Sequence, residues 1–288
     1  MKRILAAAIL GFLALSLTLN GLAAVYVDVT PPDDWAQRDL LTITVFRTGE
    51  GDAMLLQCGG EAMMIDGGPY KYREKLRDAL EERGISHFKY LFSTHPHDDH
   101  IEGLRMLLSY GFTTDEFVSV FSKGFNYEYQ EKAVRMIDRK NAAYRQLQFG
   151  DTLTLGGASL TVYNWEKGTS INAKSAMTRV EFGGCSALLC ADIIGDTQNQ
   201  FLKTLDPAIL LADVMKAPHH GLTALVKEFL DAVNPSFVWV TNYSGDKVKG
   251  IGNQMKSRGI PVKYSGDGTV YLETDGTDWY VYQTLKAF

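Results

Sequence analysis

The sequence predicts a fold of interleaved helices and strands, the α/β (α+β) class, from three features of its 288 residues. Short β-branched or apolar runs, as at 40–46, 54–57 and 62–65, are bounded by glycine turns and read as strands. Amphipathic stretches separate many of them, for example 72–83, which Gly84 closes as a helix C-cap. The residues richest in chemistry follow apolar runs directly, and open α/β sheets place their sites at strand ends. The length allows one large domain or two, with enough apolar content for a substantial core.

Taken in order, residues 1–24 read as a signal peptide. Lys2 and Arg3 precede an apolar run over 4–19, and Gly21-Leu22-Ala23 offers the small residues of a cleavage site. Export is the expectation; an uncleaved membrane anchor is the rival reading, and no other membrane partner is expected. Residues 25–38, with Pro31-Pro32-Asp33-Asp34, read as an extended linker to a domain over 39–288. Strands are then expected at 40–46, 54–57, 62–65, 88–93, 116–121, 144–149, 152–155, 159–163, 178–182, 186–190, 213–218, 237–241, 262–264, 269–273 and 279–282. Helices are expected at 72–83, 101–108, 127–139, 197–205, 222–233 and 252–258.

The balance of 29 basic and 34 acidic residues, net −5, lacks the basic field of a protein whose main task is to hold long nucleic acid. DNA stays open as a substrate, but without a strong basic surface to grip it. Cys58, Cys185 and Cys190 form no zinc-type pair and read as small hydrophobes within strands. Aromatics from Tyr110 to Tyr129 read mostly as core, with some available to wall a pocket. No feature fixes the oligomeric state.

The densest chemistry lies in Ser93-Thr94-His95-Pro96-His97-Asp98-Asp99-His100, directly after the apolar run at 90–92. Imidazole nitrogen and carboxylate oxygen both suit zinc and its neighbours, and a loop at a strand end holds them with little entropy to lose. His95 and His97 share one side of an extended segment, whereas Asp99 and His100 face another way, so one loop can serve two adjacent ions. Three further strand ends carry related groups. Asp66 precedes Gly67-Gly68, which admit a close backbone, and it reads either as an orienter of a metal ligand or as a turn former. Asp192 follows the strand at 186–190 and reads as a carboxylate bridging two ions or as a turn residue. His219 and His220 follow the strand that carries Lys216.

These segments resemble the metallo-β-lactamase-fold hydrolases. They are most similar to the stand-alone form of the hydrolase domain of ComEC-type competence proteins. The likeness rests on Gly49-Glu50-Gly51-Asp52-Ala53, Ile65-Asp66-Gly67-Gly68, residues 95–104, Ala191-Asp192 and residues 216–221, in register over about 40–276. It implies a four-layer αββα sandwich with two divalent ions, zinc or manganese, at one edge. His95 and His97 would hold the first ion, Asp99 and His100 the second, and Asp192 both. One of His219 and His220 would complete the second set; the other, or less readily Lys216, would stabilise charge or protonate a leaving group. Asp99 and Asp192 would orient a metal-held hydroxide.

Three departures qualify the likeness. No histidine lies between His100 and His219, where two-metal members usually carry one, so the first position has three ligands and is expected to be weak unless Asn172 stands in. Ala191 occupies a place usually taken by glycine, and Asn242-Tyr243 lacks the His-Pro that follows in relatives. The function implied is exported, metal-dependent hydrolysis of a phosphoester, preferably a phosphodiester of nucleic acid or of a small or envelope molecule. True β-lactamase action is less expected, and no Gly-x-Ser-x-Gly signals a serine nucleophile. The alternative is a degenerate metal-binding module with an interaction role.

Overall fold

A computed structural model describes residues 23–288. Its first half comprises β1 (Val25–Val27), β2 (Leu41–Val45), β3 (Ala53–Cys58), β4 (Glu61–Gly67), α1 (Arg73–Glu82), β5 (His87–Ser93), α2 (Asp98–Tyr110), β6 (Thr113–Ser119), α3 (Glu128–Arg139) and β7 (Ala143–Gln146). The second half adds β8 (Thr152–Leu155), β9 (Ala158–Tyr163), β10 (Met177–Phe182), β11 (Cys185–Leu189), α4 (Gly195–Thr204), α5 (Pro207–Leu210), β12 (Val214–Lys216), α6 (Lys227–Val233), β13 (Phe237–Val240), α7 (Lys249–Ser257), β14 (Val262–Tyr264), β15 (Gly268–Thr274) and β16 (Trp279–Leu285).

The strands form a nine-stranded sheet, ordered β1-β16-β15-β2-β3-β4-β5-β6-β7, and a seven-stranded one, ordered β14-β13-β12-β11-β10-β9-β8. Side chains alternate across each strand, and the alternation sorts them into separate cores. Met54, Leu56, Tyr90 and Phe92 of the larger sheet meet Leu160, Ala187, Phe237 and Trp239 of the smaller one. Their neighbours Leu55, Met64 and Leu91 turn the other way, onto Leu76 and Leu80 of α1 and Leu104 and Leu107 of α2. On the far side Leu188, Met215 and Val238 pack on Phe201, Phe229 and Ile251 of α4, α6 and α7. The result is the expected αββα order of layers, and each fully buried aliphatic or aromatic side chain contributes about 1.5–3 kcal/mol.

Two glycines set the distance between helix and sheet where it matters for chemistry. Gly103 of α2 lies against Gly67 of β4 so closely that a Cβ on either would overlap the other's backbone, and Gly103 N donates to Gly68 O at 3.0 Å. The start of α2 is thereby pinned beside the end of β4.

The structure corrects the linker expected over 25–38. Val25–Val27 pairs in parallel with β16, Tyr26 stacks on Tyr280, and buried Trp35 packs edge-on to Tyr280 and donates from Nε1 to Glu273 at 2.9 Å. Aromatic contacts across the sheet edge outweigh the turn-forming Pro-Asp composition between them. The helix expected over 222–233 begins only at Lys227, because the chain first makes a tight turn through the two adjacent histidines. The signal peptide expected over 1–24 falls on residues 1–22, outside those described, and on the adjoining Ala23 and Ala24. Among the described residues no helix is long and apolar enough to cross a membrane. Cys58, Cys185 and Cys190 are free and buried, the first two within β3 and β11 and Cys190 just past the end of β11.

Candidate metal centre

The site forms where β4, β5, β11 and β12 end. β5 delivers the histidine loop at Ser93, and α2 begins at Asp98, so Asp99 and His100 lie in its first turn. A helix N-terminus carries partial positive charge and favours carboxylates there. Asp66, at the end of β4 with φ of 54°, accepts from Thr94 N at 2.9 Å, from Thr94 Oγ1 at 2.6 Å and from His100 Nδ1 at 2.8 Å. It ties the loop and the helix start together, so Asp66 does hold His100 in orientation.

These partners decide which ring nitrogens carry lone pairs. His100 donates from Nδ1 to Asp66, so its Nε2 is bare. His220 has Thr241 Oγ1 at 3.0 Å and Asp52 Oδ1 at 3.2 Å beside Nδ1, so its Nε2 is bare too. The two bare nitrogens face each other at 3.2 Å. Around them stand Asp99 Oδ2, 3.2 Å from His220 Nε2, and Asp192, whose Oδ1 is 3.4 Å from His100 Nε2 and whose Oδ2 is 3.2 Å from His220 Nε2. Ring nitrogens and carboxylate oxygens converging in this way need a cation among them, a metal ion or a proton.

A second group adjoins the first. His95 places Nδ1 at 3.1 Å from Thr94 Oγ1, which leaves Nε2 to face His97 Nδ1 at 3.1 Å, with Asp192 Oδ2 at 3.7 Å. Asp192 thus borders both groups. Its Oδ1 and the Oδ1 of Asn172 are buried with no hydrogen-bond partner among the described residues. Orphaned acceptors among bare imidazoles fit divalent cations, and the nitrogen and oxygen donors suit zinc or its first-row neighbours.

Of the paired histidines it is His220 that the turn brings to His100 and Asp192. His219 lies half-buried with Nε2 at 3.2 Å from the Asn172 amide. Both adopt left-handed backbone, φ of 49° and 51°, which throws two neighbouring rings in different directions. Ala191, too, is left-handed at φ of 39°, which accounts for glycine being usual there.

Lys216 departs from the sequence expectation that it could reach a leaving group. It is fully buried behind the centre, with Nζ 2.6 Å from Asp52 Oδ2 and donating to Ala191 O at 2.6 Å. Asp52 is the functional residue that the sequence reading left without a role. Although it clusters with His100, Asp192 and His220, it lies on their Nδ1 side, 3.9 Å from His100 and 3.2 Å from His220, whereas Asp192 and Asp99 face Nε2. It therefore braces the rings from behind. A lysine inside the apolar strand 213–218 was the available signal, since a buried ammonium requires a buried acid.

Charge separates the two groups. Burial pushes the His100 and His220 rings toward neutrality, but Asp192, joined by Asp66 and Asp99 at His100 and by Asp52 and Asp99 at His220, raises both well above the ordinary histidine value, so each Nε2 takes a proton wherever a metal ion does not displace it. Burial, and then the charge at His100, lowers His95 and His97. Burial raises Asp99 and Asp192, but the neighbouring histidines outweigh it and keep both carboxylates ionised. A cleft of about 610 Å³ opens at Asp99, between Lys71 and Tyr243.

Solved structures with the same fold include YhfI from Bacillus subtilis, a metallo-beta-lactamase fold protein, at 13% identity and a TM-score of 0.51, over 79% of this chain and 96% of that one. CmlA, a diiron beta-hydroxylase from Streptomyces venezuelae, matches at 13% identity and a TM-score of 0.52, over 81% of this chain and 53% of its own. No curated protein matches the chain. The family model of the metallo-beta-lactamase superfamily matches residues 47–235, which hold every group in both clusters, and the chain belongs to that superfamily.

Proposed function

We propose that the protein is an exported hydrolase of small phosphodiesters that works with two divalent ions, zinc or manganese. The observation that carries this reading is Asp192, a carboxylate bordered on one side by His95 and on the other by His100 and His220, with bare imidazole nitrogens converging on it. His95, His97 and Asp192 would hold one ion, and Asp99, His100, Asp192 and His220 the other. Ions so held would supply Lewis-acid charge and would bring the pKa of bound water down toward neutrality.

The chain's own groups supply position and selectivity. Asp99, with 27% of its side chain exposed, lies where the centre meets the cleft and can accept a hydrogen bond from an attacking water. His219 and Asn172 lie beside each other, and Ala176 N donates to Thr94 O at 3.2 Å, which draws the segment of Asn172 against the histidine loop. They are placed to bond substrate oxygen on the side of His95. Beyond the centre the cleft is acidic: Glu50, Asp98, Asp99 and Asp246 face Lys71 and Lys247, and Lys247 is taken by Glu50 at 3.1 Å. Such walls oppose a long polyanion and suit one phosphodiester with a neutral remainder lying over Tyr243. The order of segments resembling the competence-protein branch supports phosphodiester chemistry, and the basic start and apolar run of residues 1–24 support export.

The test is metal analysis together with turnover of bis(p-nitrophenyl) phosphate, glycerophosphodiesters and DNA by protein loaded with manganese or zinc. Two ions per chain are expected, with small diesters cleaved faster than DNA, and Asp192→Ala should lower turnover by more than about 100-fold, beyond what loss of an outer partner costs. Folded, metal-loaded protein that cleaves none of these would leave the interaction-module reading in place.

A further inference from the structure

Lys216 ends β12 with no exposed surface, inside a strand otherwise made of apolar residues. Burying an ammonium is costly unless it is paired and hydrogen-bonded, and a methionine would fill similar space without that cost. The contacts of Lys216 show where the charge is used. Its Nζ lies 2.6 Å from Asp52 Oδ2, donates to Ala191 O at 2.6 Å and is 3.6 Å from Asp192 Oδ1.

These contacts reach two walls of the centre directly, the Asp52 turn and the Ala191-Asp192 loop, and a third through them. Asp52 stands in the turn before β3, with Oδ1 3.2 Å from His220 Nδ1. The Ala191 carbonyl also accepts from His219 N at 2.9 Å, so one oxygen joins the loop of Asp192 to the histidine turn. Ala191 is held at φ of 39°, where a residue with a Cβ is strained, and that peptide aims the side chain of the next residue, Asp192. The lysine is thus the common anchor of three segments that are remote in sequence.

We propose that Lys216 is a positioning residue: an internal cation that ties the Asp52 turn, the Ala191-Asp192 loop and the His219-His220 turn together, and so sets Asp192 where it can be shared by two metal ions. This rests on the two-metal reading above. The lysine touches neither substrate nor metal. It acts through Asp192 and His220.

The test compares wild type with Lys216→Met and with the charge-balanced pair Lys216→Met/Asp52→Asn, all as full chain, using manganese alone as the probe. Circular dichroism and melting in EDTA establish folding, metal analysis gives stoichiometry, and electron paramagnetic resonance reports whether two manganese ions are exchange-coupled. Wild type is expected to hold a coupled pair. Lys216→Met should fold, lose the coupled signal and bind manganese about 10–100-fold more weakly, as when an outer-shell partner is removed. Should the single variant not fold, the double variant is compared with Asp52→Asn alone, and loss of coupling in the double beyond that in Asp52→Asn has the same meaning. Unchanged affinity and coupling in folded Lys216→Met, or a wild-type signal in the double variant, would overturn the role given to Lys216. A wild type that takes up no coupled pair would instead overturn the two-metal reading, and this one with it.

Discussion

The two halves of the centre share Asp192 but are built on different principles. His95 and His97 come from one extended loop, two residues apart, and His97 is only partly buried. The group behind His95 is a neutral hydroxyl, Thr94 Oγ1 at 3.1 Å. His100, His220 and Asp99 instead come from the start of α2 and the turn after β12, and each ring has a carboxylate behind it, Asp66 at 2.8 Å for His100 and Asp52 at 3.2 Å for His220. A carboxylate behind an imidazole fixes its tautomer and raises its basicity, and it adds negative charge near the ion. On the proposed two-ion reading, the difference would make one position tight and the other loose, with the loose one left open to water and substrate.

Removing metal should break the comparison most completely. Under stepwise chelation of protein loaded with two ions, one ion should leave first, with nearly all turnover lost at that step, and the second should need about 10–100-fold more chelator, the scale set by outer carboxylates. Metal analysis and turnover measured on the same samples check this. Simultaneous loss of both ions would mean that the halves do not differ in the way their surroundings suggest.

A smaller effect is expected from Asp66→Asn. Asparagine tolerates the left-handed backbone at that position and keeps the shape, but its NH2 cannot accept, so the exchange removes the charge together with at least one of the hydrogen bonds accepted from Thr94 and His100. It should weaken the His100 position about 10–100-fold and leave the His95 position nearly as it was. Isothermal titration with zinc after complete chelation would show the tighter of two binding steps moving toward the looser. If the looser step shifts instead, Asp66 supports the histidine loop through Thr94 more than it supports His100.

How much of this was legible in the sequence depended on how local each feature is. The histidine loop spans six positions and the strand that presents it is continuous, so its chemistry could be read directly from 90–100. Asp192 and Asp66 were found as acids at strand ends, a pattern that survives in one dimension because a strand has to end somewhere exposed to the site. Asp52 escaped because its partners, Lys216 and His220, are far away along the chain, and only the fold brings them within 2.6 and 3.2 Å. The choice between His219 and His220 escaped for another reason. Both rings leave left-handed residues, and alternation along a strand, the usual guide to side-chain direction, does not hold there. The edge strand Val25–Val27 was hidden because its partner is at the other end of the chain, in β16.

The smallest predicted effect tests the loose half by adding to it. The sequence has no histidine between His100 and His219, and the resemblance to the competence branch would put Asn172 in that gap. Its amide lies 3.2 Å from His219 Nε2, and its Oδ1 is buried with no partner among the described residues. Asn172→His would bring an imidazole into the same place, at the start of a short turn whose backbone is held independently by Ser170 Oγ on Ala173 N at 3.1 Å and by Ser175 Oγ on the Asn172 carbonyl at 2.9 Å. A nitrogen donor exchanged for an unpartnered amide oxygen should tighten the looser zinc step by about 10-fold, the lower end of what a change around a metal commonly brings, and leave the tighter step unmoved. Turnover need not rise with it, since an added ligand also fills a coordination position that water or substrate would otherwise use. Tighter binding with slower turnover would show that the missing histidine keeps that half open. An unchanged looser step would place Asn172 with the substrate-facing His219 and not with the metal.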